Sequence, residues 1–383
     1  SITRKPAGSS VYAGGMYFGY YLALGSLLPF ISLYYERIGL TGVQIGVLTA
    51  LPVLILSSTT LLWGAIADKF RLHKKILSAA LLLTPLAVLI VPQTIEFLPL
   101  IPVILAYAIS TSPIVPLMDS MALEIAEANR TSYGQLRVWG SIGWTLSTLL
   151  IGSLIEQAGI RIFFYTYAGI MGALFLLSFF QPARTHQQTV SGNQNFRRFF
   201  RLDIIIFLLS VYLISITNGA LYGFFSIYMD GIGANESVIG LSWSLSSLSE
   251  IPVLIFSALA IRRIGSTGLL KISFIIYSLR WFLFAFINQP GLALLVQLLH
   301  GMTFGTFLVG SVTYMNERAP EGMGTTAQAV LNTVTFGLGA ITGSLLGGYL
   351  VDNFSMSSLF LVLSGIAGSA FFLFRLVPKF YRE

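Results

Sequence analysis

Apolar segments of about 20 residues follow one another along the whole chain, and this succession constrains the fold more than any other feature. An apolar helix of that length crosses the hydrocarbon core of a bilayer. Charges and turn residues mark the boundaries between the segments, so the sequence predicts twelve membrane-spanning helices. Their predicted ranges are 10–35, 42–66, 76–93, 98–123, 135–156, 160–180, 203–229, 237–260, 268–287, 291–315, 325–350 and 356–376.

The composition excludes several classes of protein. Charged residues make up only 10% of the 383 residues, whereas a soluble domain carries about 25%. A soluble globular protein, a disordered chain and a nucleic-acid-binding protein are therefore excluded, and we expect an all-α membrane protein. The chain has no cysteine, which excludes disulfides and thiolate metal sites, and with three histidines we expect no metal site.

Lysine and arginine are distributed unevenly between the two sides predicted for the membrane. With the N-terminus inside, 18 of the 22 fall on the inner side, and only Arg37 and Arg161 fall on the outer side. Arg137 and Arg280 lie within spans. The positive-inside rule then predicts cytoplasmic termini for a multi-pass protein of a plasma membrane, here a bacterial inner membrane.

The longest polar segment predicts two halves: an N-terminal bundle of six helices over 1–181, a cytoplasmic linker over 182–202 and a C-terminal bundle over 203–383. A weak internal repeat supports this division, and such a repeat is typical of transporters whose halves move about a site near the midplane. A shift of 194 residues places Tyr34, Ile38, Gly39, Ile45 and Gly46 on Tyr228, Ile232, Gly233, Ile239 and Gly240.

Four charged residues and one histidine lie inside predicted spans. A charge there costs at least about 2.5–3.5 kcal/mol, so it needs a partner or a water-filled cavity. We expect the five to line a central cavity, and the alternatives are structural ion pairs, such as one between Arg280 and Glu250, or a hydrogen-bonded interior histidine. The residues are Asp119, Arg137, Glu250, Arg280 and His300.

Trp144 follows Arg137 by seven residues, which places both on one helix face. An indole in that position suits stacking against a sugar or aromatic ring, and the alternative is a tryptophan that only packs between helices.

The loop after the second span carries a short motif. The residues Gly64-Ala65-Ile66-Ala67-Asp68-Lys69, followed by Arg71, Lys74 and Lys75, resemble the G-x-x-x-D-[RK] signature and basic cluster of the major facilitator superfamily, although the second glycine of its loop is absent. The resemblance implies two pseudo-symmetric six-helix bundles. It also implies a gating role for Gly64, Asp68 and Lys69.

A second segment resembles the lactose permease and phenylpropionate permease branch of that superfamily. Residues 133–144 carry Arg137 and Trp144, and Asp119 precedes Arg137 by eighteen residues. The resemblance implies proton coupling through Glu250, Asp119, Arg280 and His300. The branch has a glutamate three residues after the histidine, where this chain has Thr303. The residues implied to bind substrate are Asp119, Arg137, Trp144, Glu250 and His300.

We therefore expect a proton-coupled symporter that imports a small polar organic solute, a sugar or glycoside, by alternating access. It would act as a monomer with no cofactor other than the proton gradient. No Ser-His-Asp set or phosphate-binding loop stands in the sequence, so we expect no enzymatic activity. The alternatives are a symporter of an aromatic carboxylate or nucleoside, a drug efflux pump, and a non-transporting receptor or scaffold.

Overall fold

A computed structural model describes residues 8–180, 201–320 and 323–377, and every regular element in these ranges is helical. The α-helices are α1 (Gly8–Arg37), α2 (Gly42–Phe70), α3 (His73–Ile90), α4 (Phe97–Thr111), α5 (Ile114–Asn129), α6 (Tyr133–Ala158), α7 (Ile162–Ser178), α8 (Leu202–Gly231), α9 (Glu236–Phe286), α10 (Pro290–Gln297), α11 (Thr306–Arg318), α12 (Gly324–Asn332), α13 (Ala340–Asn353) and α14 (Met356–Arg375).

These helices account for the twelve predicted spans. Within the described ranges, ten helical stretches are long and apolar enough to cross a membrane, and α7 is a shorter apolar helix. One of the ten is the 51-residue helix α9, which contains two predicted spans and bends at Gly265, where φ is 68° and ψ is 170°. The prediction of an all-α membrane fold is confirmed.

Several spans are interrupted. The predicted span 98–123 consists of α4 and α5, and the break falls at Ser112 and Pro113, because proline ends a hydrogen-bonded helix. The tenth and eleventh spans contain π-helical turns at Gly301–Gly305 and Thr333–Gly339. Such turns occur most often at functional sites, and the first of them follows His300 directly.

The chain forms two compact units. Unit 1 contains residues 1–40, 51–190 and 235–244, and unit 2 contains 41–50, 191–234 and 245–383. Helix α2 therefore begins in unit 2 and α9 begins in unit 1. The linker predicted over 182–202 lies outside the described residues up to 200, and the domain boundaries taken from the sequence stay a prediction.

The internal repeat has a structural counterpart at the ends of α1 and α8. Gly39 and Gly233, which are 194 positions apart, have φ values of 88° and 90°. The turns before them are closed by equivalent bonds, from the Ile38 amide to the Tyr34 carbonyl and from the Ile232 amide to the Tyr228 carbonyl, both 3.1 Å long. The same local sequence thus produces the same helix end in each unit.

Many large apolar side chains are exposed, whereas a few charged side chains are buried. Leu98 is 74% exposed and Phe372 is 66% exposed, while Arg280 is completely buried. This arrangement suits a protein surrounded by lipid, because lipid does not penalise exposed hydrocarbon. Charges in the interior need hydrogen-bond partners, and these partners define the candidate site.

Candidate functional site

Asp119 is the centre of a polar cluster in unit 1. It lies on α5, and its Oδ1 accepts hydrogen bonds from the hydroxyls of Tyr17, at 2.5 Å, and Tyr133, at 3.0 Å. Tyr17 is fully buried on α1, and Tyr133 is the first residue of α6. Both bonds use the same carboxylate oxygen, and among the described residues none donates to Oδ2.

The start of α6 is fixed by a capping box. The side chain of Ser132 accepts a bond from the backbone amide of Gln135, and the side chain of Gln135 accepts one from the amide of Ser132. Reciprocal bonds of this kind satisfy amides that the first helical turn leaves unpaired. They set the position of Tyr133 beside Asp119 and place Arg137 one turn further along the helix.

Arg137 is covered by tyrosines. Its Nη2 donates to the Tyr21 hydroxyl at 2.5 Å. The guanidinium carbon lies 4.2 Å from the centre of the Tyr21 ring and 5.5 Å from that of Tyr17, within the range of a cation–π interaction. In the described part of the chain, Arg137 and Asp119 form no ion pair, although both contact Tyr17.

Trp144 lies two turns after Arg137 on α6 and is partly exposed. The rings that cover the guanidinium are those of Tyr17 and Tyr21, and Trp144 is not one of them. Its backbone lies instead against Gly25 of α1, where a Cβ would approach the Trp144 carbonyl to 3.0 Å. Trp144 thus shares α6 with Arg137, and its role in substrate binding stays a prediction.

Arg280 is the centre of a second cluster, in unit 2. It is completely buried on α9. Its Nη2 donates to Gln297 Oε1 at 2.7 Å, and its Nη1 donates to Thr303 Oγ1 at 3.0 Å. The same Nη1 lies 3.0 Å from Nδ1 of His300. Among the described residues, none of the groups that touch the guanidinium is a carboxylate.

His300 joins Arg280 to Glu250. Its Nε2 lies 3.1 Å from Oε1 of Glu250. A guanidinium can only donate, so the Nδ1 that faces Arg280 is an acceptor and the proton of the neutral ring is on Nε2. The ring then donates to the Glu250 carboxylate, and the hydrogen bonds run in one direction, from Arg280 through His300 to Glu250.

A close helix contact holds His300 in this position. The amide of Gly301 donates to Ser249 Oγ at 2.9 Å. A Cβ on Gly301 would come within 1.9 Å of the Ser249 carbonyl oxygen, so a side chain there would push the π-helical turn away from α9. Because Ser249 immediately precedes Glu250, this contact keeps the histidine within hydrogen-bond distance of the acid.

Each cluster thus combines predicted residues with residues that the sequence analysis missed. The signal for the tyrosines is a pair spaced by four residues on α1, at Tyr17 and Tyr21, and the signal for Gln297 is a single amide in an apolar span three residues before His300. Neither pattern shows which residues these side chains contact. The missed residues are Tyr17, Tyr21, Tyr133, Gln297 and Ser246, whose Oγ accepts a bond from Gln297 Nε2.

The predicted gating residues lie near the C-terminal end of α2. The Lys69 ammonium lies 5.5 Å from the centre of the neighbouring Phe70 ring. The side chain of Asp68 lies outside the described part of the structure. A gating role for Gly64, Asp68 and Lys69 therefore stays a prediction.

Known proteins that resemble the chain are transporters. The family model described as MFS_1 like family matches residues 12–362. The maltose permease of Geobacillus stearothermophilus is 28% identical over 356 residues, which cover 91% of this chain and 89% of the permease. The probable 3-phenylpropionic acid transporter of Escherichia coli (strain K12) is 27% identical over 372 residues, or 93% and 95% of the two chains.

Solved structures agree in fold. A crystal structure of a mutant of the nucleoside transporter NupG superimposes with a TM-score of 0.87 at 19% identity, over 97% of this chain and all of that one. At this low sequence identity, the structural similarity supports the fold alone. Because the family model extends over most of the sequence and the helices match its architecture, the chain belongs to the MFS_1-like family of major facilitator superfamily transporters.

Proposed function

We propose that the protein is a proton-coupled symporter that imports a neutral solute rich in hydroxyl groups, a sugar or glycoside, by alternating access. The observation that carries this proposal is the arrangement of Asp119 and Arg137. Both contact Tyr17, yet they do not neutralise each other as an ion pair. Among the described residues, none bonds Asp119 Oδ2 or the remaining guanidinium N–H groups, so these groups can bond a ligand.

A carboxylate oxygen accepts hydrogen bonds and a guanidinium donates them. A hydroxyl can do both, so neighbouring hydroxyls on a sugar ring could bond Asp119 with one group and Arg137 with the next. The partly exposed rings of Tyr21 and Tyr133 supply apolar surface for the C–H face of such a ring. An organic anion is a poorer fit, because a carboxylate beside Asp119 would be repelled.

The cluster around Arg280 suits the coupling of a proton to transport. Glu250 is the carboxylate of this cluster, and His300 connects it to the buried cation. A carboxylate that gains and loses a proton would change the charge balance around Arg280. We therefore assign the transported proton to Glu250, and His300 serves as the connecting donor.

The relatives support a small organic substrate and suggest a second candidate. One is named a maltose permease, in keeping with a sugar. A nucleoside is the second candidate, because it carries a ribose with adjacent hydroxyls and an aromatic base. The partly exposed ring of Tyr133, which packs edge-to-face on Tyr17 with ring centres 6.4 Å apart, favours it by offering an aromatic surface beside Asp119.

The test is uptake by proteoliposomes under an imposed pH gradient. Radiolabelled maltose, uridine and 3-phenylpropionate are supplied separately, with and without a protonophore. We expect maltose or another glycoside to accumulate only while the gradient is present. Accumulation of uridine alone would select the nucleoside alternative, and transport that ignores the protonophore would refute proton coupling. Absence of transport for the whole panel would favour a receptor or scaffold.

The same proposal includes the setting in which the protein works. We infer that it is a monomer of a bacterial inner membrane, with both termini in the cytoplasm, and that it moves its substrate without changing it chemically. Labelling of single cysteines introduced at Thr41 and Lys74, from either side of the membrane, tests the orientation, because these residues lie in predicted loops on opposite sides.

A further inference from the structure

Gln297 is the least expected neighbour of Arg280. It is completely buried, and a guanidinium in the interior of a membrane protein is ordinarily balanced by a carboxylate. Here the amide oxygen accepts the bond from Nη2 at 2.7 Å. A glutamate would have almost the same size and could accept the same bond. The choice of a neutral acceptor at this position therefore needs a reason.

The amide of Gln297 is oriented from both ends. Because Arg280 can only donate, Oε1 must face the guanidinium, and Nε2 then donates to Ser246 Oγ at 2.5 Å. Ser246 and Glu250 are four residues apart on α9, and Gln297 and His300 are three apart in the tenth span. The five side chains thus form a circuit with two arms that run from Arg280 back to one face of α9, and the backbone of α9 joins the ends of the arms at Ser246 and Glu250.

The two arms of the circuit differ in charge. The arm through Gln297 ends on a serine, and the arm through His300 ends on the Glu250 carboxylate. The other ionisable groups that face Arg280 are the hydroxyls of Tyr222 on α8 and Tyr277 on α9. Among the described residues around the cation, Glu250 is the acid.

We propose that Gln297 is a positioning residue that holds Arg280 with a neutral acceptor, so that Glu250, reached through His300, is the carboxylate among the described residues that balances the cation. The protonation of Glu250 then decides whether Arg280 has a counter-charge. A fixed carboxylate at position 297 would balance Arg280 at every pH and remove this dependence. The inference rests on the proposed role of Glu250 in proton coupling.

The experiment titrates the carboxyl group without any substrate. The purified full chain is reconstituted in liposomes, and infrared difference spectra between pH values record the C=O stretch of protonated carboxyl groups. Loss of a band in Glu250→Gln assigns that band to Glu250. In Gln297→Glu, the carboxylate keeps the bond from Arg280 and can accept one from the Ser246 hydroxyl in place of the bond that the amide donated. The new carboxylate competes for Arg280, and we expect the midpoint of the band to move about 1–3 pH units towards alkaline pH.

Two further variants separate charge from structure. Gln297→Met removes the acceptor without adding charge, and we expect no alkaline movement of the midpoint, whereas a purely structural role predicts movement in the same direction for both substitutions. Gln328→Glu is the control, because it adds a carboxylate to α12 at a glutamine that bonds the Val312 carbonyl and not Arg280. It should leave the band unchanged.

The outcomes distinguish this inference from the proposed function. An unchanged midpoint in Gln297→Glu would overturn the role of Gln297, even if the parent protein accumulates substrate normally. An alkaline movement of similar size in Gln297→Met or Gln328→Glu would overturn it as well. Failure of the parent to transport against a gradient would refute the symporter and would not alter the titration, because the infrared measurement uses the proton alone as its probe.

Discussion

Nη1 of Arg280 lies 3.0 Å from Nδ1 of His300, and this contact sets the direction of the hydrogen bonds in unit 2. The ring must accept at Nδ1, so it carries its proton on Nε2, which faces Glu250 at 3.1 Å. A second proton on the ring would place two donors against each other at Nδ1. The geometry thus favours a neutral histidine, and in the proposed function Glu250 is the group that would exchange a proton.

Replacement of Glu250 by Gln should abolish accumulation of substrate driven by a pH gradient. Glutamine keeps the size and the acceptor for His300 but cannot carry a proton. Exchange of substrate across the membrane should continue, because it needs no net movement of protons. Uptake and exchange assays in the same proteoliposomes measure both quantities. Accumulation equal to that of the parent would move the coupling role to Asp119 or His300.

Replacement of His300 by Phe should also uncouple transport. Phenylalanine keeps the ring that stacks on Phe304, at 5.5 Å between ring centres, but it removes both hydrogen bonds. Arg280 would then lose its connection to Glu250, and we expect gradient-driven accumulation to fall by about tenfold or more. A tenfold change corresponds to a free-energy difference of about 1.4 kcal/mol. The ratio of accumulation to exchange is the measurement. An unchanged ratio would show that the connection through the ring is dispensable.

Replacement of Arg137 by Lys should weaken substrate binding by about tenfold or more although the charge is kept. A lysine lacks the planar fork that can bond Tyr21 and a ligand at the same time. Thermal-shift or equilibrium binding titrations measure the affinity. The matched control is Arg161→Lys, at an exposed position preceding α7, which should bind as the parent does. Equal affinities for the two variants would remove Arg137 from the site.

Replacement of Tyr17 by Phe should reduce affinity about two- to thirteenfold, since a net hydrogen bond contributes about 0.5–1.5 kcal/mol. The change removes one of the two hydroxyls that orient the Asp119 carboxylate. Tyr34→Phe is a control on the same helix, because the Tyr34 hydroxyl is buried with no hydrogen-bond partner among the described residues. If both variants bind equally well, Asp119 does not depend on Tyr17 for its orientation.

Replacement of Asp352 by Ala should lower the free energy of unfolding by about 1 kcal/mol, the usual contribution of a helix N-cap. Its carboxylate accepts the amides of Gly42, at 2.5 Å, and Val43, at 2.8 Å, at the start of α2, and these contacts lie within unit 2. Asp352→Asn should restore most of the loss, since asparagine also caps helices. Thermal unfolding in detergent ranks the stabilities of the parent, the Ala variant and the Asn variant. An Asn variant as destabilised as the Ala variant would contradict the capping role.

The sequence by itself determined the helical spans, because the length and apolarity of a segment are local properties. It also identified the charged residues within those spans, since the energetic cost of an isolated charge in a bilayer does not depend on the details of packing. Gly39 and Gly233 illustrate what a local sequence pattern can predict. Matching residues around the two glycines predict a repeat, and the φ values of the two glycines agree within a few degrees.

Only the tertiary structure decided which groups these charges meet. Tyr17 and Asp119 are 102 residues apart, and Arg137 and Tyr21 are 116 apart, so their bonds depend on how the helices pack. The sequence could not predict that tyrosines separate Asp119 from Arg137, or that a histidine ring separates Arg280 from Glu250. The physical reason is that a hydrogen bond requires alignment within a few tenths of an ångström, and only the packed helices supply that alignment.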